Sequence, residues 1–517
     1  MLQSCLALVP IIWLIIALTY LKMPGHKACL SALAVAAVLA LTLWRMPAAD
    51  LATSALEGFA TALWPIILVI IAAIFTYNLS LKTGAMDIIK RMLTGVSADK
   101  RLLILLVGWC FGGFLEGMAG FGTAIAIPAS MLAGMGMNPI EACVVCMIAN
   151  AFPTAFGSVG IPTVTLQAVT GLDALPLAFT TVFQMVPFMI LVPFLMVIAG
   201  GGGVRALKGV AGITLVSGLS FVLPELVVSR FLGPELTVIV GCVVSLFCTF
   251  LMAKARKNQA VPAEYDMSAG IAAGTSPKQG EPAMSLAVAS LPFILIFVFL
   301  LLTSKLVPPV NGFLSVFKST AKISTSPGAG AVSFSWINTP GVIIFIAAVI
   351  GSLVQKAGGR MMWQALTGTV KQMSKTIITI MSVLAVAKIM TYSGMISDMA
   401  NLFVTLTGHY YPFVAPVIAA IGAFVTGSGT NTEVLLGTLQ TAAAKQIGVS
   451  QYWLAAANSL GAGIGKIMSP QCIATAVAAV GLVGQDSKVL RAILKWVLIL
   501  LVIACVAVGF GVPLTPA

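Results

Sequence analysis

Three charged side chains lie inside long apolar stretches of the sequence: Glu116, Glu433 and Lys466. Because a charge in apolar surroundings is costly, such residues usually have a function. A lysine can bind a carboxylate, and burial favours the protonated form of a carboxyl group, which can then carry a proton. We therefore predict that Lys466 binds an anion and that Glu116 or Glu433 carries a proton. A structural ion pair between Glu433 and Lys466 is the alternative.

Polar side chains that could complete an anion site cluster near these charges. Their hydroxyl and amide groups suit a ligand that has both a carboxylate and a hydroxyl. Some of them should instead satisfy backbone groups where a helix is interrupted. Besides Lys466, the predicted substrate-binding residues are Asn150, Ser428, Thr430, Asn431, Thr432, Asn458, Ser459, Ser469 and Gln471.

Interrupted apolar segments should position these side chains. Residues 111–123 and 421–432 each reach a group of small and polar residues and then become apolar again. Backbone leaves a helix inside a membrane only where it is buried in protein or lines a cavity, and helix N-termini exposed there attract anions. The predicted interruptions are re-entrant hairpins at 116–137 and 427–447 and helix breaks at 150–163 and 458–471.

Composition places these elements in a membrane. Hydrophobic residues make up 59% of the 517 residues and charged residues only 8%, and the mean hydropathy is +1.08. Fourteen apolar runs between residues 2 and 511 are candidate spans, because about 20 residues cross a bilayer as a helix. The fold class expected is therefore an all-α polytopic membrane protein. The net charge of +13 fits basic cytoplasmic loops, and no basic stripe suggests nucleic-acid binding.

The chain contains an internal repeat. Residues 114–117 match 424–427 at a shift of 310, and Asn150 and Pro162 match Asn458 and Pro470 at a shift of 308. None of the three buried charges is mirrored at these shifts, which suggests that the charges serve function rather than scaffold. The predicted divisions are an N-terminal span at 1–27, repeat 1 at 28–200, intervening spans with hydrophilic loops (254–282 and 308–335) at 201–337, and repeat 2 at 338–511.

Loop charges indicate that the repeats are inverted in the membrane. Connections 46–62 and 394–409 contain no Lys or Arg, whereas the connections at 80–101 and 356–375 are basic. Positive loops mark the cytoplasm, so equivalent connections should lie on opposite sides. Eight predicted spans separate the repeat starts, where inversion needs an odd number. We therefore expect that segment 206–224 does not cross fully.

Soluble-enzyme chemistry is not expected. The sequence has no phosphate-binding loop, no dinucleotide-binding pattern on a strand and no catalytic zinc or serine motif, so it does not indicate an enzyme. Its nine cysteines are expected to be small buried hydrophobic residues rather than metal ligands, and no cofactor or metal is predicted. Lys388, near the end of a span, should extend to the membrane interface, and Glu141 should also be interfacial.

The motifs together resemble the bacterial L-lactate permease family. The resemblance rests on residues 112–128, 149–163, 427–432 and 457–471 and extends over nearly the whole chain. It implies a multi-pass protein of the bacterial inner membrane that imports L-lactate, glycolate and related 2-hydroxymonocarboxylates by proton symport. The run 428–432 is also similar to the hairpin tips of sodium-coupled dicarboxylate transporters, whose inverted repeats move as an elevator, although Gly429 and Thr430 interrupt that pattern.

Three alternatives to proton symport stay open. A sodium-coupled carboxylate transporter of a related fold differs only in the coupling ion, and an anion channel needs no coupling carboxylate. A membrane-embedded transferase should show a cluster of His or Asp at the cytoplasmic face, and the sequence has none. The expected partners are a small carboxylate substrate and the lipid bilayer, with no nucleic acid, and homo-oligomerisation stays open.

Overall fold

The computed structural model describes residues 2–514 except residues 22, 121, 257–258, 270, 272–283, 305 and 483. Within these ranges the chain is almost entirely helical, with one two-stranded β-hairpin. Long apolar helices form because a backbone in hydrocarbon must satisfy its own hydrogen bonds. The predicted fold class, an all-α polytopic membrane protein, is confirmed.

The helices and strands have the following bounds. The α-helices are α1 (Leu2–Leu6), α2 (Val9–Ile15), α3 (Gly25–Thr42), α4 (Ala48–Thr61), α5 (Leu68–Lys82), α6 (Ala85–Thr94), α7 (Lys100–Leu103), α8 (Gly112–Met118), α9 (Thr123–Gly134), α10 (Pro139–Asn150), α11 (Gly157–Thr170), α12 (Ala174–Gly200), α13 (Ala211–Phe231), α14 (Pro234–Ala255), α15 (Leu286–Thr303), α16 (Pro308–Ser315), α17 (Pro340–Val354), α18 (Gly359–Ser393), α19 (Met395–Thr407), α20 (Tyr411–Thr426), α21 (Gly429–Ile447), α22 (Gln451–Lys466), α23 (Pro470–Ala479) and α24 (Asp486–Gly511). π-Helical turns occupy Ile16–Tyr20, Ala62–Ile67 and Ile104–Phe111; short 3₁₀ helices lie at Pro153–Phe156, Val204–Leu207, Ala263–Tyr265, Gly408–Tyr410 and Val512–Leu514; the strands are β1 (Lys318–Ala321) and β2 (Val332–Ser335).

Fewer helices can cross a membrane than the fourteen predicted. Within the described residues, ten helical segments are long and apolar enough, or eleven if the bent pair α10 and Pro153–Thr170 forms one span. The predicted span 2–22 consists of two short helices and a π-helical turn. The expectation that 206–224 does not cross is not supported, because Lys208 and Gly209 precede α13, and this helix of 21 residues is long and apolar enough to be a candidate span.

The two predicted repeats contain the same elements in the same order. The segment Ala48–Lys82, which joins α4 and α5, and helix α18 are both 35 residues long. Both are predicted in part as basic or neutral connections, yet the structure makes them helical, apart from a kink in the first segment at Trp64, whose φ of −133° and ψ of 119° are not helical. The remaining pairs follow at the expected spacing: α6 with α19, α8 with the end of α20, α9 with α21, α10 with α22, α11 with α23, and α12 with α24.

The two 35-residue segments pack against each other and run antiparallel. Lys388 Nζ lies 2.8 Å from Glu57 Oε1, and Asn78 Nδ2 donates to Thr369 Oγ1 over 2.9 Å. Residue numbers increase from 57 to 78 along the first segment while those of their partners decrease from 388 to 369. The two segments therefore run antiparallel. The Lys388 prediction was wrong, because its side chain is mostly buried and paired with a carboxylate rather than extended to the interface.

The β-hairpin and its loop cover the start of α4. β1 and β2 pair antiparallel with Lys318 opposite Ser335. The loop between them packs its serines on the helix, since Ser54 Oγ lies 3.1 Å from Ser324 Oγ and 3.0 Å from Ser326 Oγ. The predicted solvent loop 308–335 is therefore a docked element. About half of the other predicted loop, including 276–280, lies outside the described residues.

Candidate functional site

Four interrupted helices meet at one small cavity, which we call the inner cavity. Its volume is about 160 Å³, below the several hundred Å³ typical of sites for drug-sized ligands. Both Gly-rich segments and both helix breaks contribute to its wall. Its polar side chains are Glu116, Thr154, Ser158, Thr376, Ser428, Thr430, Lys466, Gln471 and Thr475.

The first Gly-rich segment separates α8 from α9. Its chain turns at Gly120 and Gly122, which have left-handed φ values of 59° and 88° that favour glycine. Ser158 Oγ donates to the carbonyl oxygen of Ala119 over 2.9 Å. This bond fixes the segment to the helix break of the same repeat.

The second Gly-rich segment separates α20 from α21 by a tighter turn. Gly427 is left-handed, with a φ of 65°, and a Cβ there would collide with Gln471 in the second break. Ser428 caps α21 by accepting from the backbone N–H of Asn431 over 3.3 Å. Thr432 Oγ1 donates to the carbonyl of Ser428 over 2.9 Å, so this predicted ligand satisfies backbone instead.

The two helix breaks have different backbones. After α10 ends at Asn150 the chain bends by 56° and passes through left-handed φ values at Ser158, Val159 and Gly160. After α22 ends at Lys466 only three residues precede α23, which Ser469 caps by accepting from Cys472 N over 3.2 Å. Residues of both breaks line the inner cavity.

The N-termini of three helices border the inner cavity. Gly122, Gly429 and Gln471 line it, and they lie at or next to the first residues of α9, α21 and α23. The first N–H groups of a helix lack intrahelical partners, and together with the helix dipole they favour an anion. Three such termini around one cavity favour a negatively charged ligand.

A buried ion pair joins the two repeats in the wall of this cavity. Lys466 Nζ lies 3.0 Å from Glu116 Oε1 and donates to Thr154 Oγ1 over 3.0 Å. Asn150 Nδ2 donates to the other carboxylate oxygen of Glu116 over 2.8 Å. Both charged side chains are less than one-tenth exposed. The alternative pair of Glu433 with Lys466 is not formed, because Lys466 reaches the other repeat.

Glu433 in the second repeat accepts a hydrogen bond from an asparagine, as Glu116 does in the first repeat. Asn458 Nδ2 donates to Glu433 Oε2 over 2.7 Å, as Asn150 does to Glu116. The two asparagines are repeat equivalents, whereas the two glutamates are not. Glu433 is buried but lines neither the inner cavity nor the larger cavity beside it.

Small residues on α22 place Lys466. Gly461 and Gly465 lie one turn apart against the backbone of α20, where any Cβ would collide. Gly463, on another face of α22, lies against the carbonyl of Ala151 at the first helix break. Small residues at this spacing allow close approach of membrane helices. The approach brings the end of α22 to Glu116 and Thr154.

The structure divides the predicted substrate-binding residues into three groups. Ser428, Thr430, Lys466 and Gln471 line the inner cavity together with Glu116. Asn431 lines the adjoining larger cavity. The others lie behind the wall: Asn150, Thr432, Asn458, Ser459 and Ser469.

Sequence reasoning missed four polar residues of the inner cavity. Thr154 and Ser158 lie within the predicted first break, so their position was a usable signal. Thr475 follows the second break on α23. Thr376 comes from the uninterrupted helix α18, and nothing in its local sequence distinguishes it from other helix positions.

The apolar spans and the polar cavity between interrupted helices are typical of a multi-pass membrane protein of the transporter class. Residues 3–515 match the family model described as L-lactate permease, and the chain belongs to this family. The comparison confirms the resemblance drawn from the sequence motifs.

Individual relatives agree with this assignment. The L-lactate permease of Streptococcus iniae is 41% identical, over 88% of this chain and 94% of the relative. The glycolate permease of Escherichia coli K12 is 34% identical, over 96% of this chain and 93% of the relative. Among solved structures, the YdaH transporter of Alcanivorax borkumensis matches with a TM-score of 0.47 at 13% identity, over 89% of this chain and 87% of that one.

Proposed function

We propose that this protein imports L-lactate and related 2-hydroxymonocarboxylates such as glycolate by proton symport. The observation that carries the proposal is the Lys466–Glu116 ion pair in the wall of a small cavity bordered by both repeats. The names of the relatives, L-lactate permease and glycolate permease, support the substrate class. The proton is the coupling ion in this proposal, and no cofactor takes part.

Substrate recognition would use the positive side of the inner cavity. The carboxylate of the substrate would bind Lys466 and the N–H groups at the starts of α21 and α23. Its 2-hydroxyl group would bind a neighbouring hydroxyl such as Thr154 or Thr430, which both line the cavity. The volume of about 160 Å³ suits a short hydroxy acid.

Coupling follows from the charge balance of the cavity. In the empty state the charges of Lys466 and Glu116 cancel. A bound carboxylate competes with Glu116 for Lys466, and if Glu116 stayed ionised the site would carry a buried net negative charge. Protonation of Glu116 restores neutrality, so the loaded site becomes able to cross only with a proton.

Glu433 is the second candidate for the proton carrier. It is buried and bonded to Asn458, as Glu116 is to Asn150. Unlike Glu116, Glu433 does not form an ion pair with Lys466 within the described part of the chain, and it does not line the inner cavity. Direct competition between substrate and carboxylate for one lysine therefore favours Glu116.

We further propose that the two repeats are inverted and that one part of the molecule carries the site across the membrane as an elevator. Antiparallel packing of the equivalent segments Ala48–Lys82 and α18 supports the inversion. The basic residues near the end of the first segment and the start of the second then lie on the cytoplasmic side.

Uptake by purified protein in sodium-free liposomes tests the function. With an acidic exterior, L-lactate and glycolate should accumulate, the external medium should become more alkaline, and succinate should not be taken up. An absolute requirement for sodium would replace the proton by sodium as the coupling ion. Flux that neither saturates nor supports counterflow would instead identify an anion channel.

A further inference from the structure

A second, larger cavity adjoins the inner cavity, and we call it the outer cavity. Its volume is about 420 Å³. Thr376, Gly427, Ser428, Thr430 and Gln471 line both cavities, so the two cavities are adjacent. These shared residues, which we call the neck, come from α18 and the second repeat's interruptions. A ligand that moves between the two cavities would pass these residues.

The lining of the outer cavity contains basic side chains. His26 and Lys375 both line it, and none of the described residues that line it is acidic. Lys375 is exposed, whereas Lys466 in the inner cavity is buried. The uncompensated positive charge attracts anions, and the exposure weakens that attraction relative to the inner cavity.

Uncharged hydrogen-bond donors in the outer cavity also favour an anion. Asn431 and Thr430, in the first turn of α21, and Gln471, in the first turn of α23, face this cavity with Thr379 and Thr426. Hydroxyl and amide donors beside helix N-termini suit a carboxylate. The outer cavity therefore combines a lysine with neutral donors, as the inner cavity does, but its lysine is more exposed to solvent.

We infer that the outer cavity is a second binding site, weaker than the inner one, for a small carboxylate anion on the path between the inner cavity and the cytoplasm. The inference rests on the proposed function for the nature of the anion. The cytoplasmic direction follows from Lys375, Lys371 and Arg360, which make this end of α18 basic. Lys375 and His26 hold the anion there, and the shared neck passes it to or from Lys466.

Equilibrium binding of labelled L-lactate to the full chain in nanodiscs of neutral lipid tests the inference. Wild-type protein should show two components, and Lys375→Gln should lose at least about tenfold in affinity for the weaker one while keeping the tighter one. Lys371→Gln removes a charge from the same helix outside the cavity lining and should bind as the wild type does. His26→Gln should weaken the same component as Lys375→Gln.

The outcomes separate this inference from the proposed function. Loss of only the tighter component in a folded Lys466→Ala variant supports both. A single component in the wild type, or equal binding by Lys375→Gln and the wild type, overturns the second site and leaves the inner site intact. If phosphatidylglycerol added to the nanodiscs abolishes the weaker component without lactate being able to displace it, the cavity is a lipid headgroup site and the carboxylate assignment is wrong.

Discussion

The residues with the strongest functional claim are Lys466 and Glu116, which come from different repeats and share one cavity wall. Each group stabilises the charge of the other, with further contacts from Thr154 and Asn150. A buried pair of this kind is a weak source of net stability, yet breaking it by removing one partner is costly. Substitutions at this pair must therefore separate loss of binding from loss of folding.

Lys466→Ala should abolish the tighter component of L-lactate binding and also lower stability by about 3 kcal/mol, because Glu116 is left buried without its cation. The double variant Lys466→Ala/Glu116→Gln should regain most of that stability and still lack the tighter binding component. Thermal unfolding and equilibrium binding of labelled lactate measure the two effects. Wild-type affinity in either variant would remove Lys466 from the substrate site.

Glu116→Gln should abolish accumulation of lactate driven by a pH gradient while retaining lactate–lactate counterflow, because exchange needs no net movement of protons. Glu433→Gln is the matched control, since it also replaces a buried glutamate bonded to an asparagine. Uptake and counterflow in the same liposomes measure the difference. The opposite pattern would assign the proton to Glu433.

Glu225 is a buried carboxyl group outside the candidate site, and its burial should lower the stability of the folded protein. It is fully buried on α13, and neither carboxyl oxygen has a hydrogen-bond partner among the described residues. Glu225→Met should therefore raise stability by about 1 kcal/mol, measured as a higher thermal unfolding midpoint. Gln440→Leu is the control and should lower the midpoint, because Gln440 is bonded to Tyr411 and Ala415. A lower midpoint for Glu225→Met would indicate a partner for this carboxyl group.

At the scale of elements, the interruptions between helices form much of the wall of the inner cavity. Each repeat ends one helix at a left-handed glycine and packs that turn against a polar residue of its own helix break: Gly120 against Ser158, and Gly427 against Gln471. The site thus depends on backbone conformation as well as on side-chain identity.

Gly427→Ala should reduce lactate affinity by about tenfold or more, because the new Cβ meets Gln471 and displaces the start of α21. Gly448→Ala is the matched control. It has a similar left-handed φ of 73°, but no atom lies within 4 Å of the added carbon. Both variants should lose about 1 kcal/mol of stability from backbone strain, and only the first should lose binding. Equal affinity in the two, measured by binding, would contradict a role for this turn in the site.

At the scale of the whole molecule, two similar halves interlock along the segments Ala48–Lys82 and α18. Contacts between these segments join one half to the other, and they include Glu57 with Lys388 and Asn78 with Thr369. Asn78 and Lys388 are repeat equivalents at a shift of 310, so one contact is charged and its counterpart is neutral.

The inverted arrangement predicts opposite accessibility for equivalent positions. Gly95 and Thr405 are separated by 310 residues, and both are exposed. In a chain with Cys5→Ser, a membrane-impermeant maleimide should label Thr405→Cys from outside the inner membrane and Gly95→Cys only after that membrane is opened. Labelling of both from the same side would contradict inversion.

The sequence by itself determined the class of protein, the positions at which helices are interrupted and three charged residues that the structure buries, Glu116, Glu433 and Lys466. Those properties are local: apolar length, Gly and Pro placement and isolated charges can be recognised without knowing any contact. The permease family is also evident at this level, since its motifs are contiguous.

Only the tertiary structure decided which charges meet. Lys466 could have paired with Glu433, 33 positions away, but it pairs with Glu116, 350 positions away, because the glycines of α22 let it approach the first repeat's break. The same holds for Thr376, which reaches the cavity from an uninterrupted helix, and for Lys388, which finds Glu57 in the other repeat. Such contacts depend on how two halves fold against each other, and that packing leaves no local pattern in the chain.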